Sequence, residues 1–373
     1  MSVYEGVLGK LKLNKERREK GDVIAIPWSL PRISSVLPGI EKGRYNLVSA
    51  SPKAGKTQFT DFLYVFEPVE WIIKNPLTNI SLKIFYFSLE VSSESKIKAA
   101  VSYKLFKDYK IAISPQKISS VFKDYVLDDK IEALINGKEF REWFEKFESI
   151  VIYYDSIRHP YGIFNVIKSY AEQHGKYTYK ELNLQGEDGV YSIRKVRDRY
   201  IPDNPDEYVI VIVDHVSLLQ PKKGETLHQA IGQYSSEYCL EMRDRWGYIP
   251  VIVQQQSADS SKAQFNFRGD TVLEKIKPDL EGLSDNKYTA RDCDLMISLF
   301  YPARYNLDKH EGVDLKKMGN EHREFMINLN RHGISNASIQ LYFLGSSSYF
   351  SELPTKLNDK IYEQIKEINQ KAY

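Results

Sequence analysis

The stretch Leu47-Val48-Ser49-Ala50-Ser51-Pro52-Lys53-Ala54-Gly55-Lys56-Thr57 constrains this chain more than any other. An apolar strand end runs into a turn closing on Gly-Lys-Thr, and the helical pattern Gln58-Phe59-Thr60-Asp61-Phe62-Leu63 follows at once. A turn at the start of a helix points several backbone N–H groups inward and adds the positive end of the helix dipole. Ala50, Ser51, Pro52, Lys53, Ala54, Gly55, Lys56 and Thr57 therefore read as a cradle for a nucleoside triphosphate. Gly55 permits close backbone approach, Lys56 has the reach for the β- and γ-phosphates, and the Thr57 hydroxyl is placed to hold Mg²⁺. Such loops usually open with glycine, where this chain has Ala50, so the reading rests on the strand and helix around the motif.

Composition sets the bounds. With 373 residues, 42% of them hydrophobic, the chain can bury the core of one large or two modest domains. No apolar run approaches the roughly 18 residues that span a bilayer. The start, Met1-Ser2-Val3-Tyr4-Glu5, lacks the order of a secretory signal, so a cytoplasmic protein without membrane contact is expected. Cys239 and Cys293 form no CxxC pair and the histidines do not cluster, against a disulfide framework or a zinc site. A net charge of +2 does not advertise nucleic-acid binding, so any such binding must be local.

Along the chain, short continuous apolar runs alternate with helical patterns. The runs Leu82–Glu90, Ser149–Asp155, Tyr208–Asp214 and Pro250–Gln256 read as buried strands, and 115–147 reads as helical and polar. This order predicts an α/β fold with a mostly parallel central sheet flanked by helices. Asp294–Tyr301, Glu324–Leu329 and Ser338–Leu344 add strands near the C-terminal end, two of them as an antiparallel pair. Residues 1–34 read as an arm with a short helix, 35–350 as the main domain, and 351–373 as an amphipathic tail helix. Between about 175 and 206 periodicity disappears, which marks an insertion.

Four strand ends carry chemistry. Asp214 closes the most apolar run, where open α/β sheets bind ligands, and is expected to support Mg²⁺; capping a turn is the plainer role. Glu90 ends a strand expected beside that of Lys56 and could orient an attacking water, or be a surface residue before a helix. Gln254, Gln255 and Gln256 end a third strand as candidate γ-phosphate sensors or nucleic-acid contacts, or as a polar edge. Arg331, before the turn glycine Gly333, is a candidate for stabilising phosphate charge in a neighbouring subunit, or a surface arginine. For nucleic acid the candidates are Lys222 and Lys223, then Lys262 and Arg268 in an aromatic loop diluted by acids. The densest basic run, Ser192–Tyr200, is a solvated hairpin or a partner or nucleic-acid contact.

In this order the motifs resemble the motor domain of DnaB-type replicative helicases, a RecA-like fold. Ala50–Thr57 is similar to that family's phosphate loop, where alanine often replaces the first glycine. Phe87-Ser88-Leu89-Glu90 is similar to its catalytic-glutamate segment, Val211–Leu219 to its Mg²⁺-aspartate strand, and Pro250–Gln256 to its sensor strand. Asp279–Ser284 with Arg291–Leu295, Asn330-Arg331-His332-Gly333 and Ile339–Phe343 resemble its later segments, the second of these carrying the arginine finger. The resemblance implies ATP and Mg²⁺ as cofactors, 5′-to-3′ movement on single-stranded DNA, a ring that is a hexamer, and a primase or loader as partner. Two features depart from the family: Leu329 stands where a lysine usually precedes the finger, and the interval from Glu90 to Asp214 is long. With no counterpart of the family's helical amino-terminal domain in this sequence, the resemblance implies a motor alone, as in phage-encoded relatives in a bacterial cell. A RecA-like recombinase or annealing ATPase, and a nucleotide-switched loading module, are the alternative expectations.

Overall fold

The computed structural model describes residues 3–185, 191–257, 275–305 and 307–372. Its strands are β1 (Asn46–Ala50), β2 (Ser81–Ser88), β3 (Val151–Tyr154), β4 (Gly175–Gln185), β5 (Tyr191–Pro202), β6 (Glu207–Asp214), β7 (Ile249–Gln255) and β8 (Leu295–Phe300). After the two-residue pair β9 (Lys309–His310) and β10 (Val313–Asp314) come β11 (His322–Asn330), β12 (Ala337–Leu344) and β13 (Tyr349–Glu352).

Nine of these strands form one sheet in the order β13-β12-β11-β8-β1-β7-β6-β2-β3. The six from β8 to β3 are parallel, and β11, β12 and β13 add on antiparallel. The expected mixed, mostly parallel sheet with antiparallel strands toward the C-terminal end is what the chain forms. Its parallel strands are mostly apolar because both faces are covered. In β6, Ile210 and Ile212 enter one core with Phe59, Phe62 and Phe66, while Val209, Val211 and Val213 enter the other with Ile163, Met242 and Trp246. Trp28, Leu30 and Ile33 are buried in the first of these cores. The helix Val3–Glu19 leaves Tyr4, Val7, Leu8, Leu11 and Leu13 exposed, and Arg17 ties its end to Asp22 and Asp206 at 3.0 and 2.5 Å.

Register gathers the strand ends. Ser88 pairs with Asp214, Asp214 with Val253, and Ala50 with Gln255, so all four open on the same edge. That edge, at the carboxyl ends of parallel strands, is where open α/β sheets bind ligands. One expectation is corrected: β2, which leads to Glu90, does not lie beside β1. β7 and β6 stand between them, because chain order does not dictate strand order in a sheet built through crossovers.

The basic run 192–200 lies in a hairpin that spans residues 175–202. β4 and β5 form an antiparallel ribbon separate from the main sheet. No apolar periodicity marks it because neither face packs into a core along its length.

Candidate nucleotide site

The turn between β1 and the helix Lys56–Asp61 has Lys53 and Gly55 in left-handed backbone at φ 66° and 93°. At Gly55 a side chain would meet a second obstacle, since a Cβ would come within 3.0 Å of the Phe343 ring. Two arginines that the sequence reading passed over hold the turn's carbonyls. Arg304 donates to the Pro52 carbonyl at 2.9 Å, and Arg323 to the Ala54 carbonyl at 2.7 Å. The Arg323 guanidinium is buried, stacked 3.8 Å from the Tyr301 ring centroid and 4.8 Å from that of Phe343. The signal for it was a charged triplet, His322-Arg323-Glu324, opening an otherwise apolar strand. Arg323→Met is expected to weaken nucleotide binding about tenfold, the effect of losing one charge-assisted hydrogen bond, in titrations with a fluorescent nucleotide.

Lys56 is nearly buried, and burial lowers its pKa while the charges of Asp214 and Glu90 oppose the shift. Asp214 is 1% exposed. Burial alone would raise its pKa, but Lys96 and Lys56, with Thr57 and Tyr86 beside it, hold the carboxyl below its ordinary value. Its Oδ2 accepts from the Tyr86 hydroxyl at 3.0 Å and lies 3.6 Å from the Lys96 ammonium. Its Oδ1 is buried with no partner. An ionised oxygen without a partner beside the Thr57 side chain fits a hydrated divalent cation.

Behind Asp214 lies a cluster that the sequence reading missed. Lys96, on the helix Ser93–Tyr109, donates to both oxygens of Asp61 at 2.9 and 3.1 Å and to the Tyr86 hydroxyl at 2.6 Å. Burial raises the pKa of Asp61 against the pull of Lys96, so two carboxylates share one ammonium and Asp214 is the better stabilised. A lysine and an aspartate inside helical patterns read as solvated faces, which concealed the pair.

Glu90 is half-exposed at the mouth of the same edge, its Oε2 3.6 Å from Nε2 of His215. Burial, then the Lys56 charge, lowers the His215 pKa, so the imidazole is neutral at neutral pH. The three glutamines separate. The Gln254 amide is spent on the Ser284 and Asn286 carbonyls and the Thr289 hydroxyl, a structural role. Gln256 donates to Ser49 Oγ at 2.9 Å and to the Asp279 carbonyl at 3.0 Å, leaving its own carbonyl oxygen unpartnered. Gln255 sits opposite Ala50 at the strand end and is partly exposed. A cleft of about 670 Å³, the size of a small-molecule site, opens between Thr57, Gln58, Lys96, Ser114 and Ser346.

Arg331 is not brought to this cluster. Asn330 pairs with Leu295, and Leu295 with Asn46, so Arg331 follows the end of β11 at the amino ends of the parallel strands. It is exposed and donates to the Cys293 and Arg291 carbonyls, with at least about 13 Å of strand between it and Ala50. Lys222 and Lys223 are exposed after β6, whereas Lys262 and Arg268 lie outside the described residues. Lys277 is committed to Glu324 at 3.2 Å, which also binds His310 at 2.8 Å.

This architecture has counterparts among solved structures. One of them, described as an ATPase domain, matches with a TM-score of 0.65 over 95% of this chain and 99% of that one, at 16% identity. The chain has the RecA-like fold of DnaB-type ATPase domains. A DnaB-like replicative helicase, solved with a view of its interactions with primase, matches with a TM-score of 0.61 over 92% of this chain and 68% of that one, at 17% identity. No protein-family model and no curated protein matches the sequence. No helix among the described residues is long and apolar enough to cross a membrane.

Proposed function

We propose that this chain is an ATP-driven motor of the DnaB type that moves along single-stranded DNA, 5′ to 3′, as a ring of identical subunits. The reading places the motor in residues 35–350, in a hexamer within a bacterial cytoplasm, encoded by a phage, with primase or a loader as partner. The observation that carries it is the buried Asp214 carboxylate, one oxygen unpartnered, beside a Gly-Lys-Thr turn on the ligand-binding edge of a RecA-like sheet. Mg²⁺ held by Thr57 and, directly or through water, by Asp214 would neutralise charge on the β- and γ-phosphates.

The chain's own residues do the rest. The N–H groups at the start of the helix and the Lys56 ammonium bind the phosphate oxygens. Glu90 orients water and accepts its proton, with the neutral His215 imidazole 3.6 Å away as a neighbour. Gln255, partly exposed at the strand end, would register the γ-phosphate, and Gln256, its N–H groups held by Ser49 and the Asp279 carbonyl, would pass that to the following loop. Arg331, on the opposite edge, serves the site of the adjacent subunit. Lys222 and Lys223, with Lys262 and Arg268, are the candidate DNA contacts.

The deciding experiment is ATP turnover with and without single-stranded DNA, on protein whose mass has been measured with nucleotide bound. The expected result is a multi-subunit species whose turnover rises several-fold with DNA and that unwinds a forked duplex. A monomer that hydrolyses ATP at a rate indifferent to DNA would sink the reading.

A further inference from the structure

The β4–β5 ribbon is assigned no part in nucleotide chemistry. Its described residues carry six cations, Lys176, Lys180, Arg194, Lys195, Arg197 and Arg199, against Glu181 and Asp198, and the sequence adds Glu187 and Asp188 between the two strands. That excess stands out in a chain whose total charge is +2. We propose that this ribbon is a separate nucleic-acid contact that takes the sugar-phosphate backbone of a duplex.

The ribbon is fixed at its root by two tyrosines. Tyr177 and Tyr200 pair across the strands on one face. The Tyr177 hydroxyl accepts from Trp246 Nε1 at 2.7 Å, and the Tyr200 hydroxyl donates to the Ala171 carbonyl at 2.9 Å. Past the register shift after Tyr177, that face continues outward with the pairs Tyr179–Arg197 and Glu181–Lys195. Arg197 lies 4.3 Å from the Tyr177 ring centroid and Lys195 lies 5.2 Å from that of Tyr179. Lys176, Lys180 and Arg194 occupy pairing positions of the opposite face. The ion pairs of Lys180 and Arg199 with Asp198, and of Arg197 with Glu172, are surface pairs of little strength, so a polyanion displaces them readily.

This chemistry selects the partner. Cations two residues apart on a strand repeat at about 6.6 Å, the order of the step between successive phosphates along a nucleic-acid strand. Cations on both faces of a two-stranded ribbon suit a groove with phosphates along both walls, and the major groove of B-DNA, about 12 Å wide, admits such a ribbon. A single strand would instead want open aromatic faces for its bases. Here the rings of Tyr177 and Tyr179 already carry a guanidinium and an ammonium.

The test is fluorescence anisotropy of labelled duplex and of labelled single-stranded DNA over a salt series from about 50 to 200 mM, with the full chain. The variant Arg194→Ala/Lys195→Ala/Arg197→Ala/Arg199→Ala should bind duplex at least about tenfold more weakly, with the slope of log K against log salt shallower by about two to four. Its single-strand binding and its ATP turnover without DNA should match the parent. The charge-keeping Arg194→Lys/Arg197→Lys/Arg199→Lys variant should retain the slope, which separates lost charge from a disturbed ribbon. Unchanged duplex affinity and slope, or an equal loss on single strands, would overturn the proposal. Its outcome is independent of the motor reading, because duplex binding is measured without nucleotide.

Discussion

Alanine in place of Arg331 is expected to lower DNA-stimulated ATP turnover by at least about a thousandfold while leaving nucleotide binding intact, the effect of removing an arginine finger. The reason is topological. Arg331 follows β11 on the sheet edge opposite the Lys56 turn, and among the described residues its guanidinium donates to the Cys293 and Arg291 carbonyls. A neighbouring copy that sets this edge against the phosphate edge would supply what the isolated subunit lacks. Mixing makes the test specific. Arg331→Ala and Lys56→Ala subunits, each inactive alone, should recover activity when combined, because about a quarter of the interfaces assort to carry both native groups. An Arg331→Ala protein with normal turnover, or a mixture that stays inactive, would reject the trans arrangement.

The parts of this site that are legible in the sequence are those whose chemistry is local. The turn at 50–57 and the acid at 214 declare themselves because a few adjacent residues fix the backbone and the function together. Glu90 was legible as a strand end but not in its place, since nothing local says that β6 and β7 will stand between β2 and β1. Gln254 looks like its neighbours in sequence. Only the carbonyls of 284 and 286, some thirty residues on, consume its amide. The ribbon was legible only in its basic half, 192–200, because no buried face imposes a period on its first strand.

The buried lysine is the least legible element and gives the second large effect. Lys96→Met should destabilise the fold by about 3–5 kcal/mol, the usual result of stripping a buried ion pair of one partner. Lys96 is 2% exposed, holds Asp61 through two hydrogen bonds, and packs 4.1 Å from the Tyr86 ring centroid. Without it, the buried carboxylates of Asp61 and Asp214 are left with no shared ammonium. A shift in the thermal midpoint on the order of 5–10 °C is the readout. The double variant Lys96→Met/Asp61→Leu decides the mechanism, because replacing the whole pair with apolar side chains of similar size is often neutral or better. Charge gives it a second readout. Two carboxylates and one ammonium sum to −1 in the native cluster, and Asp214 alone gives the same −1 in the double variant. The Mg²⁺ dependence of nucleotide binding should therefore return together with the stability. A single variant as stable as the parent, or a double variant no better than the single, would show that Lys96 is not what balances the carboxylate behind the phosphate turn.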